Sequence, residues 1–224
     1  MKVGIITYET PHLKTQQILS ALLLDQELEI SLYVIPFRPR ATRNVLFNHR
    51  PNMATGGYPK EVASACRVSV VTIPDVRDIE DDIDVYVLGG AGLLPGDFVT
   101  RATVVNVHPG LIPTVRGLDA FKWAIHDDFP LGVSMHVLDA EVDSGRHLKS
   151  IPTPIYINDT LDTLAHRHYE NEINLLVNFR RFLERPSAPL PGLEERAPRK
   201  RMPIDTEEVM LRVFPQYVAR HCLT

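Results

Sequence analysis

Residues 2–7 (KVGIIT) are apolar along almost their whole length instead of alternating apolar with polar. A strand with one wet face alternates, so a continuous run of this kind belongs to a parallel strand covered on both faces. Residues 15–24 follow, with Ile18, Leu19, Leu22 and Leu23 at helical spacing. Residues 29–36 (EISLYVIP) read as a second strand. A strand, a helix and a second strand make a βαβ unit, and such units build parallel sheets.

The same alternation continues. Residues 60–65 read as a short helix and 68–73 as a short strand; residues 85–88 (VYVL) are another buried strand. Residues 94–98 read as a short helix with Pro95 near its first turn, and 103–107 as a strand. Residues 118–126 are helical, 132–138 (GVSMHVL) alternate, and 147–151 can pair with them as an antiparallel hairpin. Residues 158–183 carry the longest helical pattern, with Asp159 or Thr160 as N-cap and Pro186 as its end. Residues 187–203 are rich in Pro, Arg and Glu and read as an extended surface segment, with Arg199, Lys200 and Arg201 either solvated or forming a basic edge to the substrate site. Residues 206–220 are weakly helical. The fold class is α/β: a Rossmann-like, mostly parallel twisted sheet with helices on both faces and an antiparallel hairpin near the active site. The expected domains are a catalytic domain over residues 1–186 and a C-terminal extension over 187–224 packed on or near it.

Composition excludes several functions. A net charge of −4 and a pI near 6.1 argue against broad nucleic-acid binding, which needs a basic face. The two cysteines, Cys66 and Cys222, have no motif spacing, so no disulfide scaffold is expected. The short N-terminal apolar run is a strand pattern and not a signal peptide, and no stretch approaches the roughly 18 apolar residues of a membrane span. A reducing, cytoplasmic location follows as an expectation. No G-x-G-x-x-G follows the first strand, since TYETPHLK offers no glycine there, and this removes a nicotinamide or flavin site.

Residues 37–58 form a long polar loop with Arg38, Arg40, Arg43, His49 and Arg50. Loops of this length inside a domain are commonly functional or disordered. Its cations either recognise a phosphate or carboxylate or are simply solvated. The acidic run at 75–84 fits no metal-ligand template and reads as a solvated face. Gly89, Gly90 and Gly92 follow a strand, where they either let a ligand approach the backbone or make a plain turn.

The chemistry concentrates in residues 104–145. Asn106 and His108 are two apart on a strand, which puts them on one face. Leu111-Ile112-Pro113, Arg116-Gly117, Gly132-Val133-Ser134-x-His136 and Val142-Asp143-x-Gly145 follow in order. These five linked elements resemble the catalytic core of the folate-dependent formyltransferases, which include the glycinamide ribonucleotide, methionyl-tRNA and sugar N-formyltransferases. The resemblance is best over residues 85–155. It implies that Asn106, His108 and Asp143 are catalytic, that the donor is 10-formyltetrahydrofolate, and that the acceptor is a primary amine. It places the pterin against Leu88, Gly90, Gly92, Leu93 and Leu94, and against the loop Ala140, Glu141 and Val142. Tyr8, His49, Arg50, Arg116 and Gly117 are the candidate acceptor contacts. No metal is expected. The family's motif often has a cis proline bond, which here would be Ile112-Pro113.

The chemistry also stands on the residues. Formyl transfer to an amine passes through a tetrahedral oxyanion, and an Asn amide with a His N–H can donate to it. A carboxylate near His108 could organise the water that moves a proton between amine and folate nitrogen. Ser134 and Ser144 lie in no nucleophile elbow. His136 either supports the site or takes part directly, while Asp139 and Glu141 read as exposed loop acids. His166 and His168, two apart on a helix, point away from each other.

Thr7–Pro11 departs from the Gly/Ser-rich loop with which purine-pathway members of that family hold a phosphate. Some 40 residues after the long helix are too few for the nucleic-acid domain of the methionyl-tRNA members, so no nucleic acid and no membrane partner is expected. A nucleotide-linked amino sugar is the leading small-molecule acceptor, and a homodimer is compatible with this organisation. The alternatives are a glycinamide ribonucleotide-type enzyme, a formyltetrahydrofolate hydrolase and a catalytically idle folate-binding module.

Overall fold

A computed structural model describes residues 1–39, 43–80, 82–140 and 145–223. In chain order the elements are β1 (Lys2–Tyr8), α1 (Leu13–Leu22), β2 (Glu29–Ile35), α2 (Pro59–Ala65), β3 (Ser69–Thr72), β4 (Val85–Leu88), α3 (Gly96–Arg101), β5 (Val104–His108), α4 (Ala120–His126), β6 (Gly132–Val137), β7 (His147–Pro152), α5 (Leu161–Val177), α6 (Phe179–Glu184) and α7 (Ile204–His221). Single 3-10 turns lie at Met53–Thr55 and Val76–Asp78.

The strands form a sheet in the order β3-β2-β1-β4-β5-β6-β7. β1 pairs in parallel with both β2 and β4, β2 with β3, and β4 with β5. β6 and β7 are antiparallel, with a register shift between Met135 and His136. This is the mostly parallel sheet and hairpin read from the sequence. Because strand order reverses at β1, the ends of β1 and β4 lie at a topological switch point, where open α/β sheets bind ligands.

The chain divides into two compact units. The first comprises Met1–Arg40, Asn52–Asn106 and Val137–Glu141. Its core holds Ile6, Tyr33, Ile73, Val76, Ile79, Tyr86, Phe98, Val99 and Val104. Tyr33, Tyr86 and Phe98 meet edge to face at centroid separations of 5.6 and 5.5 Å, the arrangement ring quadrupoles favour.

The second unit comprises Ala41–Pro51, Val107–His136 and Val142–Thr224. Its core joins Phe121, Trp123 and Ile125 of α4 to Leu164 of α5 and to Met210, Phe214, Tyr217 and Val218 of α7. Each such large side chain, fully buried, contributes about 1.5–3 kcal/mol. That burial explains why α7 is 18 residues long and carries Pro215 inside it, although its sequence is only weakly helical. The apolar face outweighs the lost backbone hydrogen bond.

Two expectations need correction. The helix expected over 158–183 stops at Val177 and resumes at Phe179. Asn178 turns its amide back onto Asn174, donating to the carbonyl at 2.8 Å and to Oδ1 at 2.9 Å, and such local bonds compete with the helix ladder. Arg199 and Arg201 are exposed but partnered and not merely solvated: Arg199 lies 4.4 Å over the Trp123 ring and pairs with Asp127, while Arg201 pairs with Asp119 at 3.3 Å.

Candidate active site

In the first unit, β4 ends at Leu88 and the chain turns at once. The amides of Gly89 and Gly90 both donate to the carbonyl of Ile6, at 3.0 and 3.1 Å. A Cβ on Gly90 would lie 2.7 Å from Cε1 of His12 and 3.2 Å from Cδ2 of Tyr8. The imidazole of His12 fills that space because it caps α1. Its Nδ1 accepts from the Thr15 amide at 3.3 Å and lies 2.8 Å from the Thr15 hydroxyl, which is 2.6 Å from that of Thr7. Tyr8 lies between the rings of His12 and Phe37, edge-on to both. Leu88 and Leu94 pack on the core of this unit. Leu93 is 84% exposed, and Gly92 has nothing within 4 Å of where a Cβ would stand. Ala140 is exposed, as is Asp139, and Asn106 is half-buried near the end of β5. His12 was not singled out in the sequence; its histidine-for-Ser/Asp cap carries no familiar signal.

In the second unit, His108 is 4% exposed and its Nε2 lies 2.8 Å from the carbonyl oxygen of Val115. A carbonyl only accepts, so Nε2 carries the proton and donates. The turn between them contains a cis Ile112-Pro113 bond, as the resemblance implied. The Ile112 amide donates to Ser134 Oγ at 3.0 Å, and Ser134 is joined through Ser150 to His147 by contacts of 2.8 and 2.9 Å. Ser134 thus ties the turn to the β6–β7 hairpin. His136, beside it, is 1% exposed.

Arg116 is 8% exposed and its guanidinium lies 3.6 Å from Glu195. Gly117 has φ of 90°, and a Cβ there would stand 2.2 Å from the carbonyl oxygen of Arg199. The glycine is needed because the segment at 194–202 lies along this turn. Thr114 Oγ1 donates to Glu194 O at 2.7 Å, Arg196 N to Pro113 O at 3.2 Å, Arg199 N to Arg116 O at 2.9 Å and Leu118 N to Arg199 O at 2.9 Å.

His49 stacks on Phe121 with an interplanar angle of 3°. Burial, then the charges of Arg50 and Lys122, hold its imidazole well below the ordinary histidine range. Arg50 pairs with the buried Glu172 at 3.1 Å. His168, on the same helix as Glu172, is pushed down to about 4, first by burial. It bonds Thr153 Oγ1 at 2.8 Å and, through Nε2, the carbonyl of Pro109 at 3.3 Å. Both histidines are therefore neutral near pH 7. Glu172 and the buried acids Asp119 and Glu207 carry no signal in the sequence, because each is defined by partners far along the chain.

Asp143, Glu141 and Val142 lie outside the described residues. Among the described residues, no group of three or more His, Cys, Asp or Glu side chains is arranged to hold a metal. No helix of the described residues is long and apolar enough to cross a membrane.

Residues 78–179, which include Asn106, His108 and Asp143, match the family described as Formyl transferase. This segment belongs to the formyl transferase family. The methionyl-tRNA formyltransferase of Synechocystis sp. is 31% identical over 129 residues, 56% of this chain and 39% of that protein. The chain spans half or less of the curated relatives it matches. Among solved structures, a sugar N-formyltransferase from Shewanella sp. superposes with a TM-score of 0.61 at 17% identity, covering 96% of this chain and 87% of that one. The formyltransferase PseJ from Anoxybacillus kamchatkensis, solved with UDP-4,6-dideoxy-4-formamido-L-AltNAc and tetrahydrofolate, superposes at 0.54 and 18% identity over 87% of this chain and 84% of its own. The formyltransferase fold is therefore shared along nearly the whole chain.

Proposed function

We propose that this chain transfers a formyl group from 10-formyltetrahydrofolate to a primary amine, with a nucleotide-linked amino sugar as acceptor. The observation that carries the reading is His108, placed two residues after Asn106 on β5 inside the family segment, with its Nε2 proton committed to Val115. His108 is assigned to proton exchange with the substrate. Asn106 supplies an amide donor to the oxyanion of the tetrahedral intermediate. Asp143 is assigned, from the resemblance, to organise the water that carries a proton from the attacking amine to the departing folate nitrogen. The amine nitrogen bonds to the formyl carbon to give the tetrahedral intermediate, which then collapses as the folate nitrogen leaves with a proton, so no covalent enzyme intermediate is required. The flat donor is assigned to the glycine turn at Gly90 and Gly92 with Leu88, Leu93, Leu94 and Ala140, and to Glu141 and Val142 beyond. Tyr8, His49, Arg50, Arg116 and Gly117 are assigned to the acceptor side.

Two observations support a sugar nucleotide. The loop after β1 is closed by the His12 cap in place of a glycine-rich phosphate cradle. The structurally similar PseJ was solved with a formylated UDP-sugar. We place the enzyme in the cytoplasm, consistent with Cys66 and Cys222 being unbridged.

The test incubates the protein with 10-formyltetrahydrofolate and a panel of nucleotide-linked amino sugars plus glycinamide ribonucleotide, following tetrahydrofolate by absorbance. Turnover with an amino sugar is expected. Turnover with glycinamide ribonucleotide alone would replace the acceptor. Formate release without any amine would make the chain a hydrolase, and no turnover at all would leave a binding module.

A further inference from the structure

We propose that Glu207 is a positioning residue: with Lys122 and Asp119 it forms a centre through which the C-terminal helix α7 holds the basic loop 43–50 in the shape that meets the acceptor. The proposal rests on the transfer reading above for its functional consequence, and on the second unit's geometry for the rest.

The loop at 43–50 has no helix or strand of its own, so its shape is set by its anchors. There are three sets among the described residues. Arg43 donates through Nη2 to Asp119 Oδ2 at 2.7 Å and through Nη1 to the Met202 carbonyl at 2.9 Å. The Phe47 amide donates to Glu207 Oε1 at 3.0 Å, and its ring packs on the core beside Phe121. Arg50 pairs with Glu172. Between the last two anchors His49 lies flat on Phe121.

Glu207 is wholly buried and its partner Lys122 is 1% exposed. A buried ion pair is weak evidence of stabilisation, because packed apolar residues often serve as well. Its retention calls for another task. The carboxylate shows one: besides Lys122 it holds the loop backbone, with the Phe47 amide on Oε1 at 3.0 Å and the Leu46 amide also hydrogen-bonded to the carboxylate. A carboxylate present only to neutralise Lys122 has no need of loop amides. This one serves both the lysine and the loop.

Asp119 repeats the pattern. It is 7% exposed and left-handed at φ 54°. It accepts from Arg43 of the loop, and from Arg201 and the Met202 amide of the segment that leads into α7. Loop, extension and the start of α4 thus meet at one carboxylate.

The test compares two double variants that both remove the ion pair. Lys122→Met with Glu207→Gln keeps an amide oxygen for the Phe47 N–H, and Lys122→Met with Glu207→Leu does not. Hydrogen exchange followed by mass spectrometry reads the loop, and steady-state kinetics with a turned-over amino sugar reads the acceptor. In the leucine variant, amides of residues 43–50 are expected to exchange about tenfold faster and acceptor KM to rise about tenfold, the effect of losing one buried hydrogen bond. Donor KM and kcat should stay near wild type, and the glutamine variant should match wild type in loop exchange and acceptor KM. Equal behaviour of the two doubles, or faster exchange with an unchanged acceptor KM, overturns the proposal. If wild type formylates no amine, the transfer reading falls, while the exchange contrast still decides the tether.

Discussion

The Nε2 of His108 lies 2.8 Å from the backbone carbonyl of Val115, seven residues on. This backbone acceptor fixes the tautomer of a buried imidazole. The ring is oriented by the same turn that carries Ile112-Pro113, so the geometry of the turn and the protonation of the histidine are one structural fact. The folate reaction proposed for this site needs such a fixed group, because an imidazole free to rotate would spend its time in unproductive poses.

Removal of the polar pair on β5 is expected to abolish transfer without unfolding the chain. Asn106→Ala should raise the barrier by about 2.7–4 kcal/mol, the effect of one lost oxyanion donor. His108→Ala should lower kcat by roughly 10²–10⁴, the usual worth of a positioned acid–base group. Initial rates of tetrahydrofolate formation, with thermal melts as a fold check, decide both. Near-normal turnover in either variant removes that residue from the mechanism.

The glycine turn after β4 makes a second test. Gly90→Ala puts a methyl group 2.7 Å from Cε1 of His12, whose ring is held by Thr15. Overpacking of this kind costs about 1–3 kcal/mol. Either His12 is displaced and α1 loses its cap, or the turn moves. A lower melting temperature together with a raised donor KM is expected, and an unchanged donor KM would argue that the turn does not contact folate.

Acid should destabilise the protein through its buried histidines. His168 sits near 4 in the folded chain against 6.5 in the unfolded one, chiefly because it is buried. Between these values the unfolded chain binds the extra proton, so stability rises with pH. The contribution is fully present above about pH 6.5 and is lost progressively as pH falls to about 4, on the order of 3 kcal/mol for this group. His49 acts in the same direction. Urea unfolding at stepped pH should show this limb, and His168→Asn should flatten it.

Gly117 tests the clasp between the turn after His108 and the C-terminal extension. At φ of 90°, with Arg199 O 2.2 Å from the site of a Cβ, alanine is excluded both by conformation and by contact. Gly117→Ala is expected to cost about 1–3 kcal/mol from the backbone strain alone. It should also speed amide exchange at residues 194–202. Full protection of that segment in the variant would show that the clasp is not needed to hold the turn.

The sequence by itself determined the parallel sheet, the β6–β7 hairpin and the order Asn106, His108, Asp143. These are legible because strand and helix periodicities and motif spacings are local, set by neighbours a few residues apart. Thr7–Pro11 also showed, by lacking glycine, that no dinucleotide fingerprint follows β1. Tertiary structure alone decided the rest. Phe47 and Glu207 are 160 residues apart, and nothing near either one announces the bond between them. Gly117 reads as a motif glycine until Arg199 is found against it. Pro215 argues against a helix, yet α7 runs through it because Met210, Phe214 and Tyr217 are buried together. Local propensity is worth tenths of a kcal/mol per residue, whereas a buried apolar face is worth several. Where the two conflict, only the folded chain shows which wins.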